Sequence, residues 1–378
     1  MPDDRRLDEA KAIPIEEVAL RLGLTEGLQR LGRELTGPCP NCGGHDRFSI
    51  NIDRHVWLCR HGCSDQGADG IGLVRLVLGC DFRAALDYLV GAADVRPDPE
   101  VEARRRRELD RQARSRLMEA ERHRMRAIRR ARAIWDDCRP ASGTLVEAYL
   151  EARGIRMHWL DRCPPALRFH PALPYMALKE QGSGEWIELH RGPAMVAAVT
   201  DLDNRVTGVH RTWIDPTRPK GKALICKDGE PQDVKKVWGH KKGCAIRLGG
   251  MGERITLVVG EGIETTLTAR VAWARPGMHF WAGVDLGNMG GRRQLRGKGM
   301  KYAGVPDMDD ADAFLPPEGV RELIFIQDGD SDPKLTRAKL LSGLRRAKAA
   351  VASVERIRIV PAGDGRDLND LLMDADHE

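Results

Sequence analysis

The spacing of apolar positions changes several times along the chain. Ile15, Val18, Ala19, Leu22 and Leu24 form a short helical stripe. Phe48, Ile50 and Ile52 then alternate, and Val56, Trp57 and Leu58 follow, the period of two short strands in a hairpin. Helical spacing returns in Ile71, Leu73, Val74, Leu76 and Val77, and again in Phe82, Ala85, Leu86 and Leu89, with Cys80 in the turn between. Residues 145–150 read as a helix, and Ala194–Val199 and Val206–Trp213 as strands of a mixed α/β unit. The last third alternates regularly. An apolar strand (Ile255, Leu257, Val258, Val259) precedes a helical run, Ile263–Ala274, and an irregular insert follows. A strand at Leu323–Ile326, a basic amphipathic helix at Lys334–Val351 and a strand at Ile357–Val360 complete the segment. Strands alternating with helices of this length predict a parallel sheet, and such sheets bind ligands beyond the carboxyl ends of their strands.

These patterns divide the chain into a small β domain with its helices (1–96), a helical linker (97–134), a mixed α/β subdomain (135–253) and a parallel-sheet α/β domain (254–378). The chain has 378 residues, 42% hydrophobic and 31% charged, and no apolar run reaches the eighteen or so residues of a membrane span. Its start lacks the basic-then-apolar order of a signal peptide, so the expected location is the cytoplasm, away from membranes. Nine cysteines in such a chain point to metal binding or core use, not to a disulfide framework.

Charge is +5 overall and unevenly spread. Between Pro97 and Ala133 arginines crowd at Arg104–Arg107 and recur to Arg132, with no helix breaker after Pro99. A long solvated helix is expected, serving either as a charged joint or as a phosphate contact. Lysines at 220, 222, 227, 235, 236, 241 and 242 are expected on loops, and either an ordinary basic surface or a polyanion site would use them.

Cys39-Pro-Asn-Cys42, sixteen residues, then Cys59-Arg-His-Gly-Cys63 is a zinc-ribbon pattern, because a hairpin carries each pair to one end where four thiolates meet. The second pair has three intervening residues, which leaves His61 as an alternative to Cys63. Carboxylates fall at the ends of the predicted parallel strands: Glu261 in Gly-Glu-Gly, Asp328 and Asp330 in Asp-Gly-Asp, and Asp367 in Gly-Arg-Asp-Leu-Asn-Asp. Asp328 and Asp330, two apart in an extended turn, can face one ion. Such oxygen ligands suit Mg²⁺ or Mn²⁺ and phosphoryl or nucleotidyl transfer. The acidic run Asp307–Asp312 has no strand before it and is expected as an exposed loop. Gly291–Lys298 has one spacer too many for a phosphate loop, and Gly299 stands where Ser or Thr is needed, so no motor ATPase is expected.

Glu261 in Val-Val-Gly-Glu-Gly-Ile-Glu-Thr and Asp328-x-Asp330 resemble the Toprim domain of primases, type IA and II topoisomerases and some nucleases. The order of zinc ribbon, mixed unit and Toprim resembles bacterial replicative DNA primase, and more closely the phage- and plasmid-type Toprim primases. Gly208–Thr212, Lys222-Ala223 and Lys236–Gly239 are similar to the basic motif region of the primase core. The resemblance implies structural Zn²⁺, catalytic Mg²⁺ or Mn²⁺ on Glu261, Asp328, Asp330 and Asp367, and phosphate contacts from Arg211, Lys222 and Lys236. It implies a single-stranded DNA template and ribonucleoside triphosphates as partners, with a separate replicative helicase as a further candidate. The sequence departs from the replicative pattern in its four-cysteine ligand set, the wider second pair and the insert Val284–Pro317, and no helicase-binding domain is expected after Toprim. A Toprim nuclease, and a zinc-dependent single-strand-binding module with a silent Toprim unit, are the competing readings. Phe48 and Trp57 are expected in the ribbon core, with base stacking as the alternative.

Overall fold

The structure is a computed structural model that describes residues 5–60, 63, 69–91, 99–180, 184–295, 297, 299–329, 332–362 and 368–375. His61, Asp330 and Asp367, singled out above, lie outside these residues. The chain splits into two compact units, Met1–Glu119 with Ala177–Ile187, and Ala120–Met176 with Glu188–Glu378.

In the first unit, helices α1 (Arg5–Ala12) and α2 (Ile15–Arg21) lead into a four-stranded antiparallel sheet. Its strands, in order, are β1 (Gln29–Leu31), β2 (Glu34–Cys39), β3 (Gly43–Asn51) and β4 (Val56–Cys59). Helices α3 (Gly70–Leu78) and α4 (Phe82–Val90) follow, capped by Asp69 and Asp81, whose carboxylates accept from the backbone of Gly72 and Ala84. Alternation sends Phe48, Ile50 and Trp57 inward, where they join Val18, Leu73 and Leu86 in one core. The Trp57 indole also donates to the carbonyl of Asp69 at 2.9 Å, joining the hairpin to the start of α3. Phe48 and Trp57 are therefore core residues, both essentially unexposed.

Helix α5 runs from Pro99 to Asp136. In the second unit β5 (Arg139–Pro140) and α6 (Leu145–Glu151) precede three longer strands: β6 (Leu167–Leu178), β7 (Trp186–Thr200) and β8 (Val206–Trp213). A small ribbon, β9 (Cys226–Lys227) and β10 (Glu230–Pro231), leads to β11 (Lys235–Gly239). These make an antiparallel sheet ordered β11-β8-β7-β6-β5. Lys235 and Lys236 thus lie in a paired strand, not on a loop: only an edge position beside β8 lets so polar a segment pair, with one side chain on each face.

The second sheet contains β12 (Ile246–Gly250), β13 (Thr256–Gly260), β14 (Met278–Ala282), β15 (Glu322–Gln327) and β16 (Arg356–Pro361). Its order is β12-β14-β13-β15-β16, parallel except for the antiparallel edge strand β12. Three strands were expected and five are present. Met278–Ala282 escapes period-based reading because it is a short apolar run buried on both faces, as central parallel strands are. Helices α7 (Ile263–Trp273), α8 (Leu286–Gly290), α9 (Met300–Ala303), α10 (Pro333–Ala350) and α11 (Leu368–Ala375) complete the unit. The acidic run 307–312 is a loop, but Asp310 is not exposed. Its carboxylate accepts from the Arg292 backbone at 2.6 Å and approaches the buried Arg346 guanidinium, 4.0 Å away, whose charge draws it inward.

Candidate functional site

Two arrangements carry chemistry. In the ribbon, Cys39 ends β2, Cys42 sits in the following turn, Cys59 ends β4 and Cys63 lies just beyond. Gly43 takes a left-handed φ of 67° directly after Cys42, which turns the chain back into β3. One ligand atom from each cysteine lies within 4.8 Å of all the others, and Cys42 and Cys59 sulfurs are 3.5 Å apart. Four thiolates at zinc–sulfur distances of about 2.3 Å would sit roughly 3.8 Å from one another, so this donor set fits a tetrahedral Zn²⁺. Burial first, and contact with neighbouring thiols second, raises Cys39 and Cys42 above the ordinary thiol range. A bound cation would reverse that shift.

The second arrangement lies at the carboxyl ends of the parallel strands. Val259 of β13 pairs in register with both Trp281 of β14 and Phe325 of β15. The chains leave the sheet side by side, so Glu261 and Asp328 come off adjacent strands, each partly buried. The turn at Glu261 is tight. A Cβ on Gly260 would meet the Thr266 hydroxyl at 2.5 Å, and that hydroxyl donates to the carbonyl of Gly262 at 2.6 Å. Beyond Asp328 the carboxylate of Asp332 caps α10, accepting from the backbone of Lys334 and Leu335. Of the four carboxylates expected at strand ends, the described residues thus hold Glu261 and Asp328; Asp330 and Asp367 lie outside them.

In the first turn of α7, three residues after Glu261, stands a carboxylate not anticipated from sequence. Glu264 is 4% exposed, accepts from the Tyr149 hydroxyl, and pairs with Lys235 at 2.8 Å. Burial alone would raise its pKa. The Lys235 ammonium and the two hydrogen bonds outweigh that and hold the carboxyl far below the usual range. Burial and the facing Glu264 charge push the Tyr149 hydroxyl well above its ordinary value. Further cations gather here. Arg153 is 4% exposed, and its buried Nε and Nη1 have no hydrogen-bond partner. Burial, then the charge of Lys235, lowers Lys222, and the charges of Arg153 and Lys220 add to the shift. His210 is driven down to about 4 by burial and by Lys235, so it is neutral near pH 7. Asn369 of α11 donates to the Arg153 carbonyl at 2.7 Å, and Lys220 pairs with Asp370 at 2.9 Å. A cluster of positive groups with one buried counter-charge can receive a phosphate chain.

The expected basic residues are not all together. In the β8–β11 register Arg211 faces Lys236, while Lys235 faces Thr212 on the opposite side of the sheet. Lys222 belongs with Lys235 and Glu264. Arg211 and Lys236 share the other face, where Arg211 stacks 5.2 Å from Trp213 and 5.6 Å from Trp238, and Lys236 lies 3.9 Å over Tyr175. Burial lowers Arg211 to about 10. Arg153, Tyr149 and Glu264 were missed. The only local signal was a second glutamate three positions after Glu261.

Comparison with known proteins gives partial matches. No curated protein matches the chain. Two solved structures share 16% identity with it: the primase fragment of the bacteriophage T7 primase-helicase protein and the DnaG catalytic core. The first alignment covers 51% of this chain and 64% of the fragment, so the chain spans less than two thirds of it, with a TM-score of 0.26. The second covers 62% of this chain and 70% of the core, with a TM-score of 0.30. Residues 125–248 match a domain of unknown function, DUF7146. Residues 34–71, which hold all four clustered cysteines, match the zinc-binding domain of primase-helicase.

Proposed function

We propose that this protein is a Toprim-type DNA primase that makes short RNA primers on single-stranded DNA by metal-dependent nucleotidyl transfer. The observation that carries the reading is the placement of Glu261 and Asp328 at the carboxyl ends of neighbouring parallel strands, with the buried Arg153 and the partly buried Lys222 and Lys235 gathered around Glu264, three residues after Glu261. The match of residues 34–71 supports it independently.

Asp328, Asp330 and Glu261 would hold Mg²⁺ or Mn²⁺, with Asp367 as a further ligand. When bound, the metal stabilises negative charge on the attacking and leaving oxygens. Arg153 and Lys222 neutralise the phosphates of the incoming ribonucleotide, and Lys235 is held among them by Glu264. Neutral His210 lines the same face without adding charge. Arg211 and Lys236, on the opposite face, contact backbone phosphates of the template. In the reaction a ribonucleotide 3′-oxygen forms a bond to the α-phosphorus, its proton passes to a carboxylate such as Glu261, and the α–β phosphoanhydride breaks to release pyrophosphate. The ribbon, stapled by Zn²⁺ on Cys39, Cys42, Cys59 and Cys63, holds the template. A replicative helicase is a candidate partner, and the cytoplasm the compartment where template and nucleotides meet.

The test is incubation with single-stranded DNA, Mg²⁺ and labelled ribonucleotides, beside an Asp328→Ala/Asp330→Ala variant. Short metal-dependent RNA absent from the variant is expected. Shortened DNA with no RNA would replace this reading with a nuclease. Tight binding with neither product would leave a single-strand-binding module.

A further inference from the structure

Between Pro99 and Asp136 the helix α5 carries 13 arginines and no lysine. We infer that the exposed face of α5 formed by Arg104, Arg107, Arg111 and Arg114 is a sequence-independent docking surface for the phosphate backbone of single-stranded DNA.

The spacings of three, four and three place these four side chains on one side of the helix. At a rise of about 1.5 Å per residue they form a ladder in steps of roughly 5 Å, which an extended row of phosphates can follow. All four arginines are exposed, as is every residue of α5 from Asp110 to Arg126. Arg107, Asp110, Arg111, Arg114, Ser115 and Met118 line a shallow open depression along this face. Nothing in packing holds arginine there. Guanidinium forks bind phosphate oxygens bidentately, which lysine cannot do. Glu108 pairs with Arg111 and Glu121 with Arg124 within the helix, support that keeps a solvated helix formed between encounters.

Apolar groups refine the choice of occupant. Leu117 and Met118 are 71% and 63% exposed at the end of the ladder. The unpaired bases of a single strand can turn outward and bring their apolar faces against such side chains, whereas a duplex keeps its bases enclosed. A second copy of the helix would set arginine against arginine. An anionic membrane asks for an apolar face opposite the charges, but Arg106 and Arg116 occupy other sides of α5.

That the strand is DNA rests on the priming reading; the backbone docking does not. The experiment therefore measures binding alone. Anisotropy of a labelled oligothymidylate is titrated across a salt series with wild type, with R104Q/R107Q/R111Q/R114Q, and with R321Q/K348Q/R356Q/R358Q as a charge-matched control elsewhere. Glutamine favours helix, and circular dichroism checks that α5 is retained. Losing four phosphate contacts should flatten the slope of log K against log salt by about 2.8, with binding weakened roughly tenfold or more at 100 mM salt in the α5 variant only. Equal slopes in wild type and variant, or equal loss in the control, would overturn the inference. So would loss of binding to phosphatidylserine vesicles with oligothymidylate binding unchanged. A protein that binds through α5 yet polymerises nothing would keep this inference and lose the catalytic one.

Discussion

A carboxylate enclosed between a lysine and a tyrosine behaves as a fixed ion, not as a proton donor, and Glu264 is held this way by Lys235 and Tyr149. Glu264→Gln leaves Lys235 without its counter-charge among Arg153, Lys222 and Lys220. Breaking a fully buried pair costs about 3–5 kcal/mol, and because the Lys235 side chain is 29% exposed the expected loss is smaller, roughly 1–3 kcal/mol in a denaturant titration. A loss under about 0.5 kcal/mol would show that the pair is not structural. Acid separates this residue from His210. The folded pKa of His210, about 4, lies below the usual 6.5, so the unfolded chain takes up the proton first. Its contribution is complete above about pH 6.5 and is lost as pH falls towards 4. The folded pKa of Glu264 is also depressed, from an unfolded value of about 4.3, so its contribution disappears only below that pH. Unfolding free energy measured from pH 7 to pH 3 should fall in two stages. His210→Gln should flatten the first and leave the second; an unchanged first stage would assign it elsewhere. None of this was legible in the sequence, because the partners of Glu264 stand 29 and 115 residues away.

At the scale of elements, legibility tracked how local the signal was. The ribbon hairpin could be read because alternation, turn and cysteine spacing all lie within 25 residues, Cys39–Cys63. Strands β13, β15 and β16 and helices α7 and α10 were read to within a residue or two, each being a strongly periodic or apolar run. β14 was not, since a five-residue strand buried on both faces has no period. β11 was mistaken for loop because its place beside β8 is decided by pairing, not by composition. The ribbon also yields a test. Its buried Cys39 and Cys59 share one core with Phe48, Trp57 and helices α1–α4, so removing the metal should loosen the whole first unit. Metal analysis should find about one zinc per chain, and chelation should shift the emission of Trp57 and reduce helical circular dichroism. Cys39→Ser/Cys42→Ser should reproduce the chelated state. A protein that purifies without zinc and melts unchanged would reject the ribbon assignment.

At the scale of the molecule, two compact units share one long helix whose stretch from Asp110 to Arg126 is wholly exposed. Limited trypsin digestion should therefore cut first between Arg104 and Arg126, ahead of the many basic residues inside the sheets, and release two fragments that resist further cleavage. Early cleavage within β8 or β11 would contradict the fold. The sequence alone placed carboxylates at strand ends and cysteines in a ribbon, but not the split of Arg211 and Lys236 from Lys222, since that division depends on which face of an edge strand each side chain takes. Among the described residues β16 is the outer strand of the parallel sheet, and the side of it that pairs with none of them is an open template for a further strand. Arg356 and Arg358 stand exposed along it, drawn towards Glu322 on β15, and Pro361 ends it without an amide hydrogen. The sheet thus carries its own guard against growing from one molecule into the next, and a protein prepared at high concentration should remain in solution instead of forming fibrils from that edge.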